Sequence, residues 1–138
     1  MNANASARVT GAFEVKLAPQ PAEPGDASGL GRMTIDKRFQ GDLDATSRGQ
    51  MLAFVTSVKG SAGYVAMEHV TGSLAGRRGS FVLQHNGTMN RSTPSLTVSV
   101  VPDSGTDELA GLTGAMTITI IDGAHSYSFD YSLPAPAP

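Results

Sequence analysis

The stretch Ala115-Met-Thr-Ile-Thr-Ile-Ile-Asp-Gly-Ala-His-Ser-Tyr-Ser-Phe-Asp-Tyr-Ser-Leu133 decides the fold. In its first half, Met116, Ile118 and Ile120 alternate with Thr117 and Thr119. In its second half, Tyr127, Phe129, Tyr131 and Leu133 alternate with Ser126, Ser128, Asp130 and Ser132. Side chains two apart share one face of a strand, so each half reads as a strand with one buried and one wet face. Asp122-Gly123 between them supplies the two left-handed residues of a tight hairpin turn.

The same alternation recurs upstream. Val9–Leu17 places Val9, Phe13, Val15 and Leu17 on one face, and Arg32–Gln40 does so with Met33, Ile35 and Phe39. Gln50–Val58 is apolar on both faces around Leu52, Phe54 and Val55. Tyr64–Leu74 turns Ala66, Val70 and Leu74 inward, Ser80–His85 turns Phe81, Leu83 and His85 inward, and Leu96–Val101 does the same with Leu96, Val98 and Val100. Asn86-Gly87 is a turn-type pair, but Thr88–Thr93 makes a poor strand, so the pair reads as a bulge or strand end. Ala18–Leu30, with Pro19, Pro21, Pro24, Gly25 and Gly29, reads as a long mobile loop at a barrel rim. Pro134–Pro138 is polyproline-like and cannot extend a sheet.

Sixteen glycines and eight prolines leave no run free of both longer than ten residues. Helices of ordinary length, about 11–12 residues, hardly fit. An all-β fold of about eight short antiparallel strands in a meander follows, and without helices to cover an open face, closure into a single barrel removes the exposed edges. A two-sheet sandwich is the alternative. With 138 residues, 40% of them hydrophobic, the chain suits one domain, its core spanning about Val9 to Leu133.

Several function classes are disfavoured. A net charge of −2 and a pI near 5.8 give no pull toward nucleic acid or anionic membranes. The absence of cysteine excludes disulfides, thiolate nucleophiles and cysteine-based metal sites. No phosphate-binding glycine loop, His-Glu-x-x-His or Gly-x-Ser-x-Gly string is present, and His69, His85 and His125 fall on separate strands or turns, so neither a metal nor another cofactor is expected. The first residues lack an apolar signal region and nothing reaches the length of a membrane span, which makes a cytoplasmic protein the expectation.

The chemistry sits where ionisable groups fall on apolar parities: Lys37 between Ile35 and Phe39, Glu68 between Ala66 and Val70, and His85 beyond Leu83. Tyr64, Tyr127 and Tyr131 share similar faces. In a closed barrel these groups converge on one lumen, where burial raises a carboxyl pKa and lowers those of lysine and imidazole, while pairing of Lys37 with Glu68 opposes both shifts. The plainer alternative is an ion pair that fixes strand register, with His85 satisfied by a backbone carbonyl.

The segments Gly63-Tyr-Val-Ala-Met-Glu-His-Val-Thr-Gly72, Gly79-Ser-Phe-Val-Leu-Gln-His85, Val101-Pro-Asp-Ser-Gly-Thr106, Leu109-Ala-Gly-Leu-Thr-Gly114 and Lys37-Arg-Phe-Gln-Gly-Asp-Leu43 closely resemble a bacterial family of unknown function. Its known folds resemble the allene oxide cyclase barrel, a calycin-like architecture. The resemblance runs from about Val9 to Leu133. It implies an antiparallel barrel with an apolar lumen, often a homo-oligomer, able to bind or reshape small hydrophobic molecules, and no settled catalytic residues. Where the family usually carries large aromatics this chain has Val70 and Val98, and where it carries a tryptophan this chain has Lys16-Leu17. The expectation is a wider lumen, lined by Phe39, Tyr64, Val70, Phe81, Val98, Met116 and Phe129.

The leading functional expectation is a cofactor-independent isomerase or cyclase acting on a small hydrophobic substrate in the lumen. Glu68 would be the acid or base with its pKa raised, Lys37 would set its charge, and Tyr131 or His85 would donate to a developing oxyanion. A non-catalytic carrier for such a molecule is the second reading. A carboxylate-dependent hydrolase or peptidase is the third, although Asp36, Asp42, Asp103 and Asp130 fall on outward parities or turns.

Overall fold

A computed structural model describes residues 4–134, with side chains from residue 6 onward. Eight strands follow one another in the chain: β1 Asn4–Gln20, β2 Gly31–Phe39, β3 Leu43–Val55, β4 Ala62–Leu74, β5 Arg77–Asn90, β6 Thr93–Val100, β7 Thr113–Ile121 and β8 Ala124–Pro134. Each pairs antiparallel with its sequence neighbour, and β1 pairs with β8 to close the barrel. The helical content of the described residues is one 3-10 turn, Asp107–Leu109. The expected Asp122-Gly123 turn forms with φ of 51° and 78°, the doubly left-handed geometry that matches strand twist in a two-residue hairpin.

Three local readings need correction. β3 begins at Leu43, well before Gln50, because its inward positions Ala45, Ser47 and Gly49 are too small or polar to register as an apolar stripe. Asn86-Gly87 lies within β5, which runs straight on to Asn90, and the chain turns instead at Arg91 and Ser92, whose φ values are 48° and 74°. Gly87 is needed there for packing, since a Cβ would run into the ring of Tyr64. The β1–β2 connection is Pro21–Leu30, exposed throughout, with Ala18, Pro19 and Gln20 completing β1. Of the proline-rich tail, all beyond Pro134 lies outside the described residues.

The strand directions give the barrel two different ends. At one, residues 101–112 between β6 and β7 fold back and insert Leu109 and Leu112, both essentially inaccessible, beneath Phe39, Leu43, Val70, Leu74, Phe81, Leu83 and Phe129. Phe81 and Phe129 stack with ring centroids 5.8 Å apart. Fully burying such a side chain contributes about 1.5–3 kcal/mol, so this half is the stability core. At the other end the hairpin loops 21–30, 56–61, 91–92 and 122–123 ring a mouth where the inward side chains do not meet. Tyr127 braces the closed half by donating its hydroxyl hydrogen to the Gln40 carbonyl at 2.7 Å and accepting from the Leu43 amide at 3.2 Å.

Candidate functional site

The inward parity of β2 carries Lys37 into the lumen, and the β2–β3 register sets it opposite Ser47. On β4, Glu68 stands opposite Gly49, whose missing side chain makes room for it: a Cβ at position 49 would press on the Cα and Cβ of Glu68. On β5, His85 pairs in register with Ala66 and Val98. These placements bring Lys37 Nζ to 2.8 Å from Glu68 Oε2 and His85 Nε2 to 3.3 Å from the same oxygen, off the axes of ideal hydrogen bonds. Lys37 Nζ also lies 4.9 Å from the centre of the Phe13 ring and 5.6 Å from that of Phe39, in cation–π contact. The expected convergence of Lys37, Glu68 and His85 is therefore present, halfway along the barrel.

Above this cluster the mouth encloses about 440 Å³. Its walls are largely apolar and include Leu17, Met51, Ala53, Leu96, Ile118 and Ile120, with Lys37, Tyr64 and His85 at the polar end and His125 beside Phe13. The Tyr64 hydroxyl stands 3.4 Å from His85 Nδ1. His85 therefore stands between Glu68 and Tyr64, one ring nitrogen toward the carboxylate and the other toward the phenol, and the tautomer with its proton on Nε2 leaves Nδ1 to accept from Tyr64.

Burial pushes the Glu68 carboxyl upward, but the approach of His85 and the charge of Lys37 together outweigh it and hold the group below the ordinary glutamate value. This corrects the raised pKa expected from desolvation alone: two donors at one oxygen favour the ionised form more than the apolar surroundings oppose it. The side chain of Glu68 has no exposure, and both its carboxylate oxygens, His85 Nε2 and the Ser47 hydroxyl are buried without a well-formed hydrogen bond, so the cluster is held by charge at close range. Tyr64 is shifted upward by burial and by the negative charge of Glu68, so it stays a neutral donor across the physiological range.

Of the side chains expected to line the lumen, Tyr64 faces the cavity. Phe39, Val70, Phe81, Val98, Met116 and Phe129 lie in the packed core instead, and Val70 and Val98 are wrapped by neighbours, so they do not widen the open space. Leu17 lies on the cavity wall. Tyr131 packs against Phe129, ring centroids 5.4 Å apart, and does not line the cavity. Asp36, Asp42, Asp103 and Asp130 are exposed, leaving Glu68 as the buried carboxylate among the described residues. Ser47 and His125 join the site without having been singled out. The signal for Ser47 was its inward parity in β3, and for His125 its position two before Tyr127. Among the described residues no group of three or more His, Asp or Glu side chains converges as a metal site, and no helix is long and apolar enough to cross a membrane.

The fold and this site define a small up-and-down barrel, plugged at one end and open at the other, with a buried charged cluster between. The chain belongs to the family described as protein of unknown function DUF3224, which matches residues 9–131. It is similar to a crystal structure of a DUF3224 protein of unknown function from Shewanella oneidensis MR-1, at 52% identity over 92% of this chain and 97% of that one, with a TM-score of 0.85. No curated protein matches the chain.

Proposed function

We propose that the open half of the barrel encloses a small, largely apolar molecule and holds it against the polar end formed by Lys37, Tyr64 and His85. The observation that carries this reading is the cavity of about 440 Å³, within the range of small-molecule sites, whose apolar walls converge on a few polar groups. A cofactor-independent isomerisation or cyclisation is the chemistry such a site suits, since the walls fix the conformation of a flexible substrate. Tyr64 is the group that meets the substrate, His85 exchanges a proton with it, and Glu68 acts through His85 as a positioning residue. The carrier reading draws on a specific observation too: Glu68 is paired with Lys37 at 2.8 Å and has no side-chain exposure, which suits holding charge better than passing protons.

The neutral fluorescent probe N-phenyl-1-naphthylamine tests the pocket directly. Saturable binding at one site per chain is expected, weakened at least about tenfold when Met51→Trp fills the cavity wall. Absence of saturable binding, or equal binding by the variant, overturns the reading. Catalyst and carrier then separate by recovering the natural ligand from the protein and incubating it again: conversion that slows with Tyr64→Phe marks an enzyme, and unchanged recovery a carrier.

A further inference from the structure

The polar end of the cavity presents donors. Lys37 Nζ uses one direction on Glu68 Oε2 and stands over the Phe13 and Phe39 rings. The Tyr64 hydroxyl reaches His85 Nδ1. The acceptor of the cluster, Glu68, lies beneath them with no exposure of its side chain. A ligand arriving here meets an ammonium and a phenol, so its own head must accept hydrogen bonds.

Charge narrows the choice further. Lys37 and Glu68 already neutralise each other. An incoming anion would add an unpaired charge against largely apolar walls, which is unfavourable unless another positive charge appears. The groups facing His85 are Glu68 and Tyr64 from β4 and Lys37 from β2. β6 brings the apolar Val98, and His125 from β8 lines the same cavity. His85, with Nε2 at 3.3 Å from the carboxylate, is placed to take that charge.

Building on the pocket reading above, we infer that the enclosed molecule is an acid, an apolar body ending in a carboxylate that sits on Lys37 and Tyr64 and enters together with one proton bound by His85. The proton comes from water and adds to Nδ1, leaving Nε2–H on Glu68. Nδ1–H then donates to the Tyr64 oxygen, and the Tyr64 hydroxyl hydrogen turns to the ligand carboxylate. Two positive and two negative charges are then enclosed together.

The test is titration calorimetry with two matched pairs, decanoate against decan-1-ol and 4-phenylbutyrate against 4-phenylbutan-1-ol, at pH 8 in two buffers of different ionisation enthalpy. At least one acid is expected to bind about tenfold or more tightly than its alcohol, with uptake of close to one proton. Its affinity should fall as pH rises, because binding takes up a proton. His85→Gln removes the proton uptake and the preference for the acid, Tyr64→Phe weakens the acid alone, and His69→Gln, at an exposed outward position of β4, keeps both properties. Alcohols binding as well as acids without proton uptake overturn the inference and leave the pocket reading intact. Uptake that persists in His85→Gln, or is lost in His69→Gln, overturns the role of His85. If no compound of either pair binds, the pocket reading fails and this one falls with it. Should His85→Gln not fold, the buffer dependence of the unaltered protein and the Tyr64→Phe and His69→Gln variants still decide.

Discussion

Glu68 is enclosed with one full charge and one imidazole on the same oxygen, and that arrangement sets what happens when any member is removed. Glu68→Gln leaves Lys37 buried without its partner, a change that costs about 3–5 kcal/mol in comparable pairs, whereas losing both charges in Lys37→Met with Glu68→Gln is near neutral by comparison. Chemical denaturation of the single and double variants checks this, and additive losses would mean that the two residues do not act as a pair. The pH dependence has a definite sign. Because the folded-state pKa of Glu68 is depressed, its stabilisation is complete above the ordinary glutamate value of about 4.3 and drains away as pH falls through the lowered one. The stability deficit of Lys37→Met should accordingly be largest near neutral pH and shrink as pH falls through the Glu68 titration, which denaturation at several pH values checks. The membership of this cluster was legible in the sequence, since a charged residue on an apolar parity announces itself. The direction of the Glu68 shift was not, because it depends on two distances across three strands. Nor did a serine among small residues reveal that Ser47 faces Lys37 across the β2–β3 ladder.

At the level of strands, alternation located β2, β7 and β8 well, because their inward residues are large and their outward ones mostly polar, while β1 runs beyond Val9–Leu17 at both ends. Alternation shortened β3 and β5, where glycine and serine hold inward positions and the packing partner, not the strand itself, supplies the bulk. Pairing strength is also uneven around the barrel. β3 and β4 are in register from Leu43↔Leu74 to Val55↔Ala62, while β6 and β7 share just Val98↔Met116 and Ser99↔Ala115. Above that point the two strands separate toward the mouth, where Pro94 has no amide hydrogen to give. Native-state hydrogen exchange should therefore find the amides of residues 95–97 and 117–121 that are not bonded to β5 or β8 exchanging at least about a hundredfold faster than those of the β3–β4 ladder. Uniform protection around the barrel would show the seam to be closed in solution.

For the molecule as a whole, closure was foreseeable from eight punctuated strands and no helix, but parity tells inside from outside and carries no information about height along the barrel axis. Val70 and Val98 share the inward parity of Tyr64 and Leu96, yet they lie in the plugged half while Tyr64 and Leu96 line the cavity. This division makes one substitution type act oppositely at two heights. Val70→Trp forces an indole into a region with no free space and should destabilise the fold by about 1–3 kcal/mol or more, lowering Tm by roughly 5–10 °C for a domain of this size. Met51→Trp adds similar bulk where the walls do not touch, so it should leave Tm within a few degrees while excluding the fluorescent probe. Thermal denaturation and probe binding on both variants separate the two halves. A Val70→Trp protein of unchanged Tm would mean that the lower half is not packed as described. A Met51→Trp protein as destabilised as Val70→Trp would mean that the cavity is closed in solution, because only a filled space resists an added ring.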